Sequence, residues 1–222
     1  MKKKTAAGEN STGNPGIGFR SRGTRAPPIL LKSDYQMSML RVFTAIQLPD
    51  AVIRKIVSAC GRFAGSSGLK WVEPSGLHLT LNFVGDVEDR EIPNLCTAFA
   101  RNLDNLDPFP IQLQGMGAFP NFDRPRVLWL GVVEGEEPLV ELNRRFRDII
   151  EEYGFVQEKR FTPHVTLART QKSNLAPNEI TRMQQHFDRL NLDRFRASEV
   201  VVFNSLLEKK GPTYVRLSTM KL

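Results

Sequence analysis

Residues 77–81 read Leu77-His78-Leu79-Thr80-Leu81, and residues 163–167 read Pro163-His164-Val165-Thr166-Leu167. Alternate side chains of a β-strand share a face. His78 and Thr80 therefore project together, while Leu77, Leu79 and Leu81 turn the other way, into a core. The second string repeats the arrangement, with Val165 and Leu167 inward. The chain has three histidines, and two of them sit in this pattern. Imidazole changes charge near neutrality. Two imidazoles and two hydroxyls on similar strands could handle protons on both sides of one phosphate without a metal.

Working outward, the flanks of the two motifs repeat as well. Residues 40–48 alternate as a strand, and Asp50 is positioned to cap a helix with apolar positions Val52, Ile53, Ile56, Val57, Cys60 and Phe63. A strand over 69–84 follows, broken near Pro74-Ser75-Gly76. A helix then carries Ile92, Leu95, Cys96, Phe99 and Leu103, and residues 109–116 form a strand. The second half restarts at 126–130. Its first helix opens with Glu136, Glu137 and Pro138, is striped by Leu139, Leu142, Phe146, Ile149 and Tyr153, and stops at Gly154. The second motif strand is expected over 160–170. A helix over 177–190 carries Ile180, Met183, Phe187 and Leu190. Strands over 199–206 and 213–222 flank the turn Lys209-Lys210-Gly211-Pro212. Phe43 to Leu128 and His78 to His164 are nearly equal offsets, so one α+β unit is used twice. An approximate two-fold would bring the motif strands together across a cleft.

The first 38 residues lack sustained periodicity and are rich in Gly, Ser, Thr, Asn and Pro, so they are expected to be a disordered tail ahead of a 39–222 domain. They hold seven basic and two acidic residues, which is +5 of the chain's formal net charge of +7. The remainder is close to neutral, so phosphate recognition there must be local. The tail's charge can add sequence-independent affinity for nucleic acid. Cys60 and Cys96 fall on apolar helix faces and read as packing in a reducing compartment. No apolar run approaches the roughly 20 residues of a membrane span, and a cytoplasmic protein is expected.

At this point the residues carry a family resemblance. Two H-x-T-x strands in a duplicated α+β chain resemble the 2H phosphoesterase superfamily. The strings LRVFTAIQLPD, LKWVEPSGLHLTLNFVGDV, GMGAFPNFDRPRVLWLGV, EKRFTPHVTLART and VVVFNSLLEKKGPTYVRL, in that order, resemble the bacterial RNA 2′,3′-cyclic phosphodiesterases, also called 2′-5′ RNA ligases. The resemblance spans about residues 39–222. It implies two pseudo-symmetric lobes, each an antiparallel sheet with helices on its outer face, and an active-site cleft between them. It also implies hydrolysis of an RNA-terminal 2′,3′-cyclic phosphate to a 2′-phosphomonoester, with His78 as proton donor and His164 as proton acceptor. Sequence alone does not fix that order.

Thr80 and Thr166 can donate hydroxyl hydrogen bonds to non-bridging phosphate oxygens. Arg169 completes H-x-T-x-x-R, and the resemblance implies a phosphate contact. Strict alternation puts it on the face opposite His164, so it reaches the cleft only if the strand ends or bulges there. Phe83, Phe161 and Trp71 are candidates to stack a terminal base, and Phe83 is retained as a binding residue. Arg124 and Arg126 read as solvated charge, and His186 receives no role. No metal and no cofactor are expected, since neither motif supplies a metal-ligand cluster. Expected substrates are RNA ends or tRNA fragments carrying a 2′,3′-cyclic phosphate, bound by a monomer with no membrane partner. The rival readings are the same mechanism on another cyclic or 2′-5′ nucleotide, the reverse 2′-5′ ligation, and a non-catalytic RNA-end-binding module.

Overall fold

Alternating apolar residues build the strands, and strand pairing decides where the two motifs meet. A computed structural model describes residues 38–66, 68–171, 175–208 and 211–222. The expected tail lies outside the described residues, apart from Ser38. That residue is already tied to the fold: its Oγ donates to Asp89 Oδ2 at 3.0 Å, and its carbonyl accepts the Asp89 N–H. Residues 37–222 form one compact unit. In chain order the elements are β1 (Met39–Gln47), α1 (Asp50–Gly61), β2 (Leu69–Trp71), β3 (His78–Glu88), α2 (Ile92–Arg101), β4 (Phe109–Phe119), β5 (Val127–Glu134), α3 (Glu136–Glu152), β6 (His164–Thr170), α4 (Pro177–Asp188), β7 (Phe195–Ala197), β8 (Glu199–Glu208) and β9 (Gly211–Lys221).

Local chemistry shifts several of the expected boundaries. Pro49, not Asp50, occupies the cap position of α1 and makes no side-chain cap bond. Asp50 stands in the first turn, where its charge faces the positive end of the helix dipole. Strand β6 starts at His164, because Pro163 has no N–H to offer a ladder. The stripe of α1 is narrower than its apolar residues suggest: Val52, Ile56 and Ala59 are buried, and Val57 is exposed. Gly135 caps α3 at φ +91°, and a Cβ there would meet the Pro110 carbonyl at 2.5 Å. Strand β7 was not foreseen; its three residues are too few for a periodicity signal.

The strands pair antiparallel in the order β7-β4-β5-β6-β3-β1-β8-β9, with β2 added beside β6. The six central strands of that order form a palindrome about the β6–β3 seam when β1, β3 and β4 are matched to β5, β6 and β8. One registered pair, Leu79 with Val165, holds the seam. These are the middle residues of the two motifs, so the local two-fold passes between them. The expected α+β fold of two pseudo-symmetric antiparallel lobes is what the chain forms.

Each lobe draws on both halves of the sequence. Strand β4, from the first half, pairs with β5, and β8, from the second half, pairs with β1. Helices α2 and α3 pack against each other and against β9 and β3. Helix α4 packs on β4, and Phe63, just past α1, stacks on Phe187 of α4 at 6.2 Å. All four helices lie on one face of the sheet and enclose the main core with Val42, Ile46, Leu79, Leu130 and Val165. The Phe99 and Phe146 rings meet at 4.5 Å where α2 crosses α3, and both are fully buried. Truncating either to Ala would cost about 3–5 kcal/mol. The opposite face carries the motif histidines. No helix among the described residues is long and apolar enough to cross a membrane.

Candidate active site

The site is built by two strands and two bulges. Leu77, Leu79, Leu81, Val165 and Leu167 are buried, as alternation requires. His78, Thr80, His164 and Thr166 are half-buried on the other face. The Leu79–Val165 pairing sets His78 beside Thr166 and Thr80 beside His164, because antiparallel registers run in opposite directions. The two histidines are then diagonal neighbours, roughly 7–8 Å apart. That spacing leaves room for a phosphate between the rings.

Past each threonine the strand gains a residue. On β3, Thr80 pairs with Ala45 but Asn82 pairs with Thr44, so Leu81 is extra. On β6, Thr166 pairs with Trp129 but Ala168 pairs with Leu128, so Leu167 is extra. A bulge of one residue inverts the alternation. Leu81 and Asn82 are therefore both buried, as are Leu167 and Ala168. Phe83 and Arg169 turn onto the histidine face, which resolves the parity objection to Arg169. The first bulge is pinned by polar groups: Asn82 N–H donates to Thr44 Oγ1, Asn82 Nδ2 to the Asn143 carbonyl, and Asn143 Nδ2 to the Leu81 carbonyl.

Each imidazole is anchored by the carbonyl two residues before it. His164 Nδ1 lies 2.8 Å from the Thr162 carbonyl, and His78 bonds the Gly76 carbonyl. A carbonyl can only accept, so His164 Nδ1 carries the hydrogen and its Nε2 remains for the cleft. Aromatic rings brace both histidines. Tyr214 meets His78 edge-on at 5.1 Å and Phe43 lies at 5.0 Å. Phe119 meets His164 edge-on at 5.0 Å and Trp129 lies at 5.8 Å. Gly117 makes room for Trp129, since a Cβ there would lie 2.1 Å from the indole.

These surroundings push both histidines toward the neutral form. Burial among rings pushes His78 down to about 4, and the charge of His164 adds to the drop. Burial also lowers His164, with the Arg169 guanidinium acting in the same direction. The Arg169 charge is felt by Tyr214 too, so it stands near both walls of the cleft. Phe83 is 68% exposed, and its ring lies tilted against Phe43 with centroids 6.0 Å apart.

Trp71 and Phe161 are half-buried and pack against the main core. Arg124 and Arg126 are exposed, and His186 packs edge-on against Phe63. Cys60 and Cys96 are half-buried free thiols; burial pushes Cys60 up to about 12 and also raises Cys96, which disfavours the thiolate. Among the described residues no three His, Cys, Asp or Glu side chains gather as a metal site. Sequence reasoning missed Phe43, Phe119, Trp129, Tyr214 and the Asn143 clamp. The signal for Phe43 was available: β1 is apolar on both faces, with Val42 and Ile46 on one and Phe43 and Ala45 on the other.

Residues 48–206 match the family model described as the 2′-5′ RNA ligase superfamily. The chain belongs to that superfamily. Similar relatives include a protein named RNA 2′,3′-cyclic phosphodiesterase from Archaeoglobus fulgidus, 32% identical over 79% of this chain and 96% of its own length. A relative of the same name from Methanothermobacter thermautotrophicus is 31% identical over 82% of this chain and 99% of its own. Among solved structures, TT0787 of Thermus thermophilus superposes with a TM-score of 0.69 at 28% identity, covering 82% of this chain and 98% of that one. The superfamily assignment agrees with the repeat and with the paired motifs.

Proposed function

We propose that the chain hydrolyses RNA-terminal 2′,3′-cyclic phosphates to 2′-phosphomonoesters, with His164 as base and His78 as acid. Membership of the superfamily makes it a phosphoesterase, and relatives that it covers almost end to end are named RNA 2′,3′-cyclic phosphodiesterases. The observation that carries the reading is the seam register, which sets two His–Thr pairs about a single point with anchored imidazoles.

The phosphate lies between the rings, and the Thr80 and Thr166 hydroxyls donate to its non-bridging oxygens. His164 Nε2 takes a proton from water, and the water oxygen bonds to phosphorus. The P–O3′ bond breaks, His78 gives its proton to O3′, and the phosphate stays on O2′. Charge grows on the non-bridging oxygens during this step, where fixed donors lower the barrier most. The Arg169 charge supports this division of labour. A fixed cation beside His164 keeps that ring neutral, as a base must be. His78 is depressed mainly by burial, and a phosphate anion beside it opposes that effect. Phe83 offers an exposed face to the terminal base.

Both motifs come from one chain, which supports action as a monomer, and two free thiols support a reducing compartment such as the cytoplasm. Residues 1–38 stand outside this chemistry, so a chain starting at Met37 should keep turnover on short substrates.

The test is turnover of an oligonucleotide ending in a 2′,3′-cyclic phosphate, with the product read by phosphorus NMR. A 2′-phosphate is expected, and His78→Ala or His164→Ala should each lower the rate by at least about 10²-fold. A 3′-phosphate product would exchange the roles of the two histidines. Binding without turnover would make the chain an RNA-end-binding module.

A further inference from the structure

Strand β9 brings a cation to the cleft that neither motif contains. Tyr214 packs on Phe43 and His78, so it lies on the cleft face of β9. Arg216 follows two residues later on the same face. The pairing with β8 slips between Val202 and Phe203, which makes Leu217 extra and returns Thr219 to the cleft face opposite Val201. Arg216 Nη1 donates to Thr219 Oγ1 at 3.3 Å, and Nη2 donates to Gln47 Oε1. Gln47 is the registered partner of His78 on β1. The guanidinium therefore reaches inward over β8, near Val201, held between Thr219 on β9 and the Gln47 side chain from β1.

We propose that Arg216 binds the phosphodiester one nucleotide upstream of the reacting end, which makes the cleft prefer a polynucleotide terminus to a lone nucleotide. The proposal rests on the function given above. Both partners of the guanidinium are neutral, and among the described residues no carboxylate lies within ion-pair range of it. Its charge is left for an anion, and its planar fork suits phosphate. Its position over β8 is about two to two and a half strand spacings, roughly 10–12 Å, from the β3–β6 seam. That is too far for a hydrogen bond to a phosphate held between the histidines, and it leaves room for one further phosphate between them.

The direction agrees as well. O3′ leaves toward His78, so the terminal ribose stays on the His78 side. The ribose joins the rest of the strand through O5′ alone, and the upstream phosphate must leave on that side, which is the side of Arg216. Tyr214, Phe43 and Phe203 form an aromatic floor around the path.

The experiment compares adenosine 2′,3′-cyclic phosphate with a dinucleotide ending in the same group. The readout is the ratio of kcat/KM, dinucleotide over mononucleoside, within each protein, so the folded fraction cancels. The wild type should favour the dinucleotide, and Arg216→Gln should lower the ratio about tenfold, chiefly through KM. Arg216→Lys should lie between, and the wild-type ratio should fall with added salt more steeply than that of Arg216→Gln. A ratio unchanged by Arg216→Gln would overturn the proposal. So would a wild type that does not favour the dinucleotide. If the wild type turns over neither substrate, the functional reading fails. The subsite is then decided by the same ratio in Kd, measured with the 3′-phosphorylated dinucleotide and adenosine 3′-phosphate.

Discussion

Phe83 and Arg169 occupy equivalent places in the two halves of the molecule. Each follows its motif histidine in the same spacing, each comes after a one-residue bulge, and each is turned by that bulge onto the cleft face. A nearly two-fold site thus becomes chemically one-sided. Rings surround both histidines, and Arg169 adds a fixed cation beside His164. Hydrolysis needs one acid and one base, and two identical surroundings would give the substrate no preferred direction.

Removing the cation should change both rate and pH dependence. In Arg169→Ala, kcat/KM should fall roughly 10- to 100-fold through loss of a charge-assisted phosphate contact. The pKa of His164 should rise, because the charge that lowers it is gone. With His164 as the proposed base and His78 depressed to about 4, the acid titrates below the base, so the upper limb of the kcat/KM profile reports His164 and should move to higher pH. A lowered rate with an unmoved limb would leave Arg169 as a phosphate ligand that does not tune the base.

The two kinetic profiles should also differ from each other. In the free protein His78 loses its proton near pH 4, and kcat/KM reports free-protein groups, whereas kcat reports the complex. A bound phosphate anion stabilises the imidazolium and raises this pKa. The limb that reports His78 should therefore lie at higher pH in kcat than in kcat/KM. Coincident limbs would mean that substrate binding does not recharge His78.

Stability should follow the same residue. His78 is depressed from 6.5 to about 4 in the folded protein, so between those values the unfolded chain binds more protons. Its contribution is present above about pH 6.5 and is lost as pH falls through that window. At roughly 1.4 kcal/mol per unit the full loss is at most about 3 kcal/mol. Without ligand, the difference in unfolding free energy between wild type and His78→Gln should change by up to that amount from pH 7 to pH 4. A pH-independent difference would contradict the depressed value.

The polar clamp on the first bulge gives a structural prediction. Asn143→Leu leaves the buried Leu81 carbonyl without its side-chain donor, at a cost of about 1–3 kcal/mol. Denaturant unfolding checks the loss. If the clamp holds Phe83 toward the cleft, KM should rise for an RNA end while a substrate lacking a base is less affected. An equal change for both substrates would confine Asn143 to stability.

The amino-acid sequence by itself determined what depends on neighbours a few residues apart. Alternation put His78, Thr80, His164 and Thr166 on faces opposite Leu79 and Val165, and the repeat offset established that one unit occurs twice. Helical spacing found Leu95, Phe99, Phe146 and Phe187. It did not determine which strand lies beside which. Pairing β4 with β5 and β8 with β1 exchanges strands between the repeats, and these contacts join residues far apart in the chain with no local periodicity to mark them. Nor did it place Arg169, Tyr214 or Arg216. A bulge shifts a strand by one residue, and with a side-chain period of two that shift moves everything beyond it to the other face. Whether a strand takes up such an extra residue is decided by what its partner offers, such as the Asn143 side chain reaching the Leu81 carbonyl from α3. That partner exists only once the chain has folded.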